Sequence, residues 1–339
     1  MIDLTGPPRP WPDRLAARFV DAQSRALGMP GAWSSPPPRG EPALLERLAE
    51  LFGADTERTV VTGGVRQFAA AWTPLGTEAV VEAPSFLDIP ELLGMGGRVR
   101  QVAWNAMAEA ASRATGLTTL WVTTPFRNPD GLTVKEPLAA DLGRLAARGH
   151  RVVVNQVYRW FAPDGAVPPV PVGAWTVTSL AKAAGGGSRL GWVTAPCAAA
   201  VSRDLTALGP PTAWQRAWAA FLRPRTFAAL RSACVEPTQD ARRAFTSRAA
   251  DLLGWHVAGG GPSLLLECEG TDERRAVAAL TDAGLRVSPG AAFGAPRPSV
   301  RLAFSGTDPA GATTAAECFA ALAGRPGAPA FRPAVDADA

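Results

Sequence analysis

Lysine occurs at only two positions, Lys135 and Lys182, although the chain has 34 basic residues, and the second stands where it could do chemistry. Lys182 ends the segment Ser179-Leu180-Ala181-Lys182 and is followed by Gly185-Gly186-Gly187-Ser188-Arg189. A hydroxyl, an amine and a guanidinium around a glycine loop can hold one phosphate and leave the amine to form an imine. Arginine cannot lose its proton and make that bond, whereas lysine can. The bias resembles GC-rich codon usage, in which arginine replaces lysine wherever only charge matters. Survival of Lys182 against that bias is suggestive, but Lys135 also survives, in what reads as a surface turn.

Other segments carry residues of a similar kind. Gly63-Gly64-Val65 follows the β-branched run 59–62 and opens a helical pattern, offering free backbone amides to an anion. A plain strand-to-helix turn fits those residues equally well. Asn128-Pro129-Asp130-Gly131 follows the apolar run 118–124 and reads by itself as a tight turn. The run 151–155 delivers Asn155 and, three residues on, the only tyrosine, Tyr158. Arg301 lies inside the apolar run 299–304, where a guanidinium demands an anionic partner.

Positioning these residues requires strands that end at a common edge. Apolar runs at 79–83, 98–104, 118–124, 151–155, 174–179 and 190–194 alternate with helical patterns. One such helix, 136–148, places Leu138, Leu142 and Leu145 on one face. Continuous rather than alternating strands predict a largely parallel sheet covered on both faces. Ligands bind such sheets at the carboxyl ends of the strands. Beyond about residue 226, strand 263–268, helix 272–283, a turn at Ser288-Pro289-Gly290, strand 299–304 and a last helix form an α+β unit. The expected organisation is an N-terminal segment, 1–40, packing with the small domain, then a large domain, 41–225. A small C-terminal domain, 226–324, and a flexible Pro/Ala/Asp-rich tail, 325–339, follow.

Composition excludes several classes. A net charge of +4 without a concentrated basic run does not suit nucleic-acid binding. No apolar run approaches the ~18 residues of a membrane helix. The opening residues, rich in proline, do not read as a secretory leader, so a cytoplasmic protein is expected. Cys197, Cys234, Cys268 and Cys318 are widely spaced, and His150 and His256 are far apart in sequence, so neither disulfides nor a metal is expected.

Taken in order, these segments resemble the class I and II aminotransferases, pyridoxal-phosphate (PLP) enzymes of fold type I. The resemblance runs from about residue 40 to about residue 320 and rests on five motifs in sequence. They are the Asn128-Pro129-Asp130-Gly131 turn, the strand end with Asn155 and Tyr158, and Ser179 three residues before Lys182. Gly187-Ser188-Arg189-Leu190-Gly191-Trp192 and Ser299-Val300-Arg301-Leu302, the latter preceded by Val287-Ser288-Pro289-Gly290, complete them. The resemblance implies an α/β fold with a mostly parallel central sheet flanked by helices and a smaller α+β C-terminal domain. It implies that Lys182 binds PLP as a Schiff base and then works as acid and base at the substrate Cα. Ser179, Arg189 and the amides of Gly64 and Val65 would hold the phosphate. Phe86 would stack on the ring, Asn128 and Tyr158 would bind its hydroxyl, and Arg301 would grip the substrate carboxylate. Gly187 to Trp192, the Asn128 turn and Gln67 lean toward the alliinase and tryptophan-aminotransferase branch. Chain length and Arg39-Gly40-Glu41-Pro42-Ala43-Leu44-Leu45 lean toward the histidinol-phosphate-aminotransferase type.

Three departures from the family pattern stand out. The spacing from Lys182 to Arg189 is one residue shorter than the commonest. The tyrosine that many relatives send from a partner subunit to the phosphate has no counterpart, and Trp33 or Ser35 occupies that region. Asn155 stands where the family has the aspartate that faces the pyridine nitrogen. A carboxylate there keeps the ring protonated and a better electron sink. If that ion pair is worth ~3 kcal/mol to the carbanion, asparagine costs roughly a hundredfold in rate.

The expected function is transfer of the amino group of an α-amino acid to a 2-oxo acid by a homodimer, in specialised metabolism. The tryptophans, Trp11 and Trp33 in particular, hint at an aromatic or apolar substrate, with Trp33 lining the pocket. A β-eliminating lyase of the alliinase sort and a non-catalytic PLP-binding protein are the alternatives.

Overall fold

In the computed structural model, residues 1–72, 78–163, 167, 169–201 and 209–334 are described. Thirteen strands occur among them: β1 (Ile2–Asp3), β2 (Thr59–Thr62), β3 (Ala79–Glu82), β4 (Val99–Val102), β5 (Thr119–Thr123), β6 (Arg151–Asn155) and β7 (Trp175–Ser179) come first. β8 (Gly191–Thr194), β9 (Ser263–Glu269), β10 (Leu285–Arg286), β11 (Ser288–Pro289), β12 (Ser299–Ala303) and β13 (Ala330–Pro333) follow. The seven-stranded central sheet has the order β2-β8-β7-β6-β5-β3-β4, and β8 alone runs against the rest.

Both faces of this sheet are covered, which is why β3, β5 and β6 at its centre read as mainly apolar runs, whereas the edge strand β4 carries Arg100 and Gln101. On one face Val81, Trp121, Val153 and Val177 pack with Phe68 and Trp218. On the other, Val80, Leu120, Val152 and Val154 meet Met107, Leu142 and Leu145. A second, antiparallel sheet in the order β11-β12-β9-β13 has its own core, in which Leu264, Leu266, Val300 and Leu302 pack on Phe245 and Phe319. The chain passes from one core to the other between Val235 and Ala241, inside a continuous helical run.

Two expectations about the chain ends are corrected. Residues 1–40 do not all join the smaller core. Leu4 does, but the helix Asp13–Leu27 turns Leu15, Phe19, Ala22 and Ala26 into the larger one, where Phe19 meets Trp218 with ring centroids 4.6 Å apart. Of the stretch expected as a tail, residues 335–339 lie outside the described residues, and the part before them is not free. Ala330–Pro333 adds β13 to the edge of β9, anchored by Phe331 on Phe319 and by Arg332 on Glu267 and Glu269.

Candidate active site

Parallel register brings the ends of several strands together. Thr123 pairs with Asn155 and Asn155 with Val177, so Thr123, Asn155 and Ser179 mark one edge of the sheet. Thr62 ends β2 at the same edge, and the helix Val65–Trp72 starts after Gly63-Gly64. Between these ends lies a cavity of about 200 Å³. Lys182 lines it, on the short helix Ala181–Ala184 that follows β7. Its Nζ stands 5.6 Å from the centroid of the Tyr158 ring.

One end of the cavity is built from glycines, hydroxyls and a cation. Gly64 has a φ of +117° that an L side chain rarely adopts, and Gly191 packs directly on its Cα. A side chain at Gly63 would collide with Gln67 and lie 3.6 Å from Nη2 of Arg189, so this guanidinium reaches the strand-to-helix turn. Arg189 holds a φ of +41°, the only positive value at a non-glycine among the described residues. The short loop between Lys182 and Arg189 thus still delivers the guanidinium to the cavity wall. Ser179 accepts the amide of Ala181 on Oγ at 3.3 Å.

Opposite lies Asn155, almost fully buried. Its Oδ1 accepts the Val157 amide at 3.2 Å, and its Nδ2 donates to Thr123 Oγ1 at 3.3 Å. With Oδ1 engaged, Nδ2 is the side-chain atom that retains a hydrogen to donate. Arg301 enters from β12 of the second sheet. Its Nε donates to Asn128 Oδ1 at 2.8 Å and Nη1 to the Thr5 carbonyl at 3.3 Å. Burial pulls its pKa below the ordinary arginine value, and Tyr158 opposes that shift.

Of the residues expected at the site, Gly64, Val65, Phe86, Asn128, Asn155, Tyr158, Ser179, Lys182 and Arg189 border the cavity, and Arg301 is tied to it through Asn128. Trp33 is not brought there. Within one chain it is 86% exposed, because the turn after the first helix buries its neighbour Ala32 instead. Sequence reasoning missed Arg66, Thr123 and Ser188, which also line the cavity. Arg66 directly follows the Gly63-Gly64-Val65 signal, whereas Thr123 and Ser188 depend on register and tertiary contacts.

Behind the cavity, Glu82 is fully buried, accepts the Trp104 indole on Oε2 at 2.8 Å and has no hydrogen bond of normal geometry on Oε1. Burial pushes its carboxyl up to about 7, against the pull of Arg127 and Thr123. No group of metal-binding side chains occurs among the described residues.

A reactive amine beside a hydroxyl, a guanidinium and a glycine turn fits a phosphorylated aldehyde, and the fold fits the same class. The chain belongs to the aminotransferase class I and II family, whose pattern it matches over residues 12–319, and it is a PLP-dependent aminotransferase. An aspartate/prephenate aminotransferase of Thermus thermophilus is 30% identical, over 96% of this chain and 92% of that protein. The aspartate aminotransferase of T. thermophilus solved with maleate superposes with a TM-score of 0.75 at 27% identity, over 95% of this chain and 91% of that one. An α-aminoadipate aminotransferase of T. thermophilus, complexed with N-(5'-phosphopyridoxyl)-L-leucine, shares the fold with a TM-score of 0.77 at 20% identity, again over 95% and 91%.

Proposed function

We propose that this aminotransferase moves the α-amino group of an aromatic or apolar amino acid to a 2-oxo acid, with Lys182 as the residue that bears the cofactor covalently. The observation that carries this reading is the presence of Lys182, Ser179, Arg189 and Asn155 in one cavity, to which Asn128 ties Arg301. PLP, when bound, supplies the sink for the electron pair released at the substrate Cα. Lys182 Nζ takes the proton from the donor's Cα, which becomes the carbonyl carbon of the 2-oxo acid, and in the second half of the cycle delivers a proton to Cα of the product amino acid. Ser179, Arg189 and the amides of Gly64 and Val65 hold the phosphate. Phe86 packs on the ring, Asn128 and Tyr158 bind its hydroxyl, and Asn155 offers an N–H to the ring nitrogen, which suits an unprotonated nitrogen. Arg301, its Nε fixed by Asn128, grips the α-carboxylate with the remaining N–H groups.

Two features favour an uncharged donor side chain. Phe86, Ile89, Val157 and Leu190 give the wall an apolar character, and the additional cation there, Arg66, forms an ion pair with Asp88 at 2.6 Å. The homodimer belongs to the same reading. Trp33, Met29 and Val20 leave exposed apolar surface on the N-terminal segment, suited to a second copy. A panel of amino donors, read by mass spectrometry of the 2-oxo acids formed, tests the substrate class. Phenylalanine, tryptophan or leucine should exceed aspartate in kcat/KM by about tenfold or more, the discrimination expected when a carboxylate enters an apolar site. A preference for aspartate would overturn it. Light scattering tests the assembly, and a monomer at micromolar concentration would contradict the dimer.

A further inference from the structure

Ser188 has a hydroxyl for which the fold itself has no use. The residue is 5% exposed and lines the cavity, yet its Oγ is buried without a hydrogen-bond partner. A buried, unsatisfied hydroxyl is unfavourable, and alanine would fill the same space without that cost. The backbone of Ser188, by contrast, is fully engaged. Its amide donates to the Gly185 carbonyl at 3.1 Å. Its carbonyl accepts two indole N–H groups, from Trp214 at 2.9 Å and Trp218 at 3.1 Å, which occupy both lone pairs. Both tryptophans come from the helix Thr212–Phe221, and Trp218 is fully packed among Trp11, Phe19 and Phe221. Two rigid side chains rooted in the core therefore fix a residue that would otherwise ride on a triglycine loop. The next residue is Arg189, whose guanidinium reaches the Gly63 turn.

We infer that Ser188 Oγ is a ligand of the cofactor phosphate, held in place by the Trp214 and Trp218 clamp on its carbonyl. The hydroxyl donates one charge-assisted hydrogen bond, and phosphate is the acceptor that the arrangement lacks. This assignment rests on the reading that the phosphate lies among Ser179, Arg189 and the Gly63-Gly64-Val65 turn.

The test compares binding of PLP with binding of pyridoxal, which has the same aldehyde and ring but no phosphate, to the apoenzyme by equilibrium dialysis. Ser188→Ala should raise the dissociation constant for PLP about tenfold to a hundredfold, the usual range for a lost hydrogen bond to a charged group. Its affinity for pyridoxal should stay within about twofold of the parent, which also shows that the pocket is intact. Equal loss for both ligands, or loss for neither, would overturn the inference. Ser179→Ala measured in parallel separates the two levels. If it too discriminates against PLP while Ser188→Ala does not, only the role of Ser188 falls. If neither variant discriminates, the phosphate end itself is misassigned.

Discussion

Two buried guanidiniums meet at the turn after β5, and they are treated differently. Arg127 forms a close ion pair with Asp130, with Nη2 and Oδ2 2.6 Å apart, and lies 3.9 Å from the centroid of the Trp104 ring. Arg301 comes from the second sheet to the adjacent Asn128 and receives only neutral acceptors, the Asn128 amide oxygen and the Thr5 carbonyl. No carboxylate among the described residues pairs with it. A buried cation with its own carboxylate is part of the scaffold, whereas one held by neutral groups is ready for an anion from outside. The turn serves both roles, since Arg127 and Asp130 pair with each other while Asn128 holds Arg301. Gly131 then closes it against the smaller unit, where any side chain would come within 2.4 Å of the Gly260 carbonyl.

The largest effect expected from this contrast is on stability. Arg127→Ala strands Asp130 in the interior and should destabilise the fold by about 3–5 kcal/mol in urea denaturation, while Arg301→Ala should cost little or nothing. Similar losses from both would erase the distinction. Next in size is Glu82, the carboxyl near Arg127 that has no ion pair of its own. Its pKa in the fold, about 7, lies above the ordinary 4.5, so the native state retains a proton that the unfolded chain releases. Stability should therefore be highest below about pH 4.5, decline as pH rises toward 7 and level off above, by roughly 3 kcal/mol in total from this group. Glu82→Gln should remove that slope, and an unchanged pH profile would show that the carboxyl is already ionised in the fold.

Smaller effects concern the reaction itself. Arg301→Ala should weaken amino-acid binding by about 2 kcal/mol, read as a roughly thirtyfold rise in KM, with PLP affinity retained. If simple amines and amino acids react equally well with the parent enzyme, Arg301 does not serve the carboxylate. Asn155→Asp should recover part of the roughly hundredfold at stake in that ion pair, speeding transamination on the order of tenfold, by restoring a charge opposite the ring nitrogen. A fall in native turnover with a rise in side transamination would instead mark a reaction suited to a neutral ring, such as β-elimination.

Legibility in the sequence follows the range of the interactions involved. β6 could be read because both faces of a parallel strand are buried, which leaves the continuous run Val152-Val153-Val154. Lys182 and Arg301 stood out because each is chemically out of place, one as a rare lysine and the other as a cation in an apolar strand. Thr123 did not, since an ordinary strand threonine becomes a partner of Asn155 only through the register of β5 against β6. Ser188 depended on indoles from a helix more than twenty residues downstream. The surroundings of Trp33 and of the chain end were not legible for a related reason. Hydrophobicity and composition say that a side chain can pack or that a tail can fray, but not where Trp33 faces or that Phe331 finds Phe319.

The assignment of Lys182 as the covalent anchor is the claim on which the rest depends, and the two-lysine composition makes it unusually open to test. Borohydride reduction of the holoenzyme followed by peptide mass mapping should find the reduced phosphopyridoxyl group on the peptide containing Lys182 and none on that containing Lys135. Lys182→Ala should abolish the adduct while the apoprotein keeps its fold by circular dichroism. An adduct on Lys135, or one that persists in Lys182→Ala, would contradict the account.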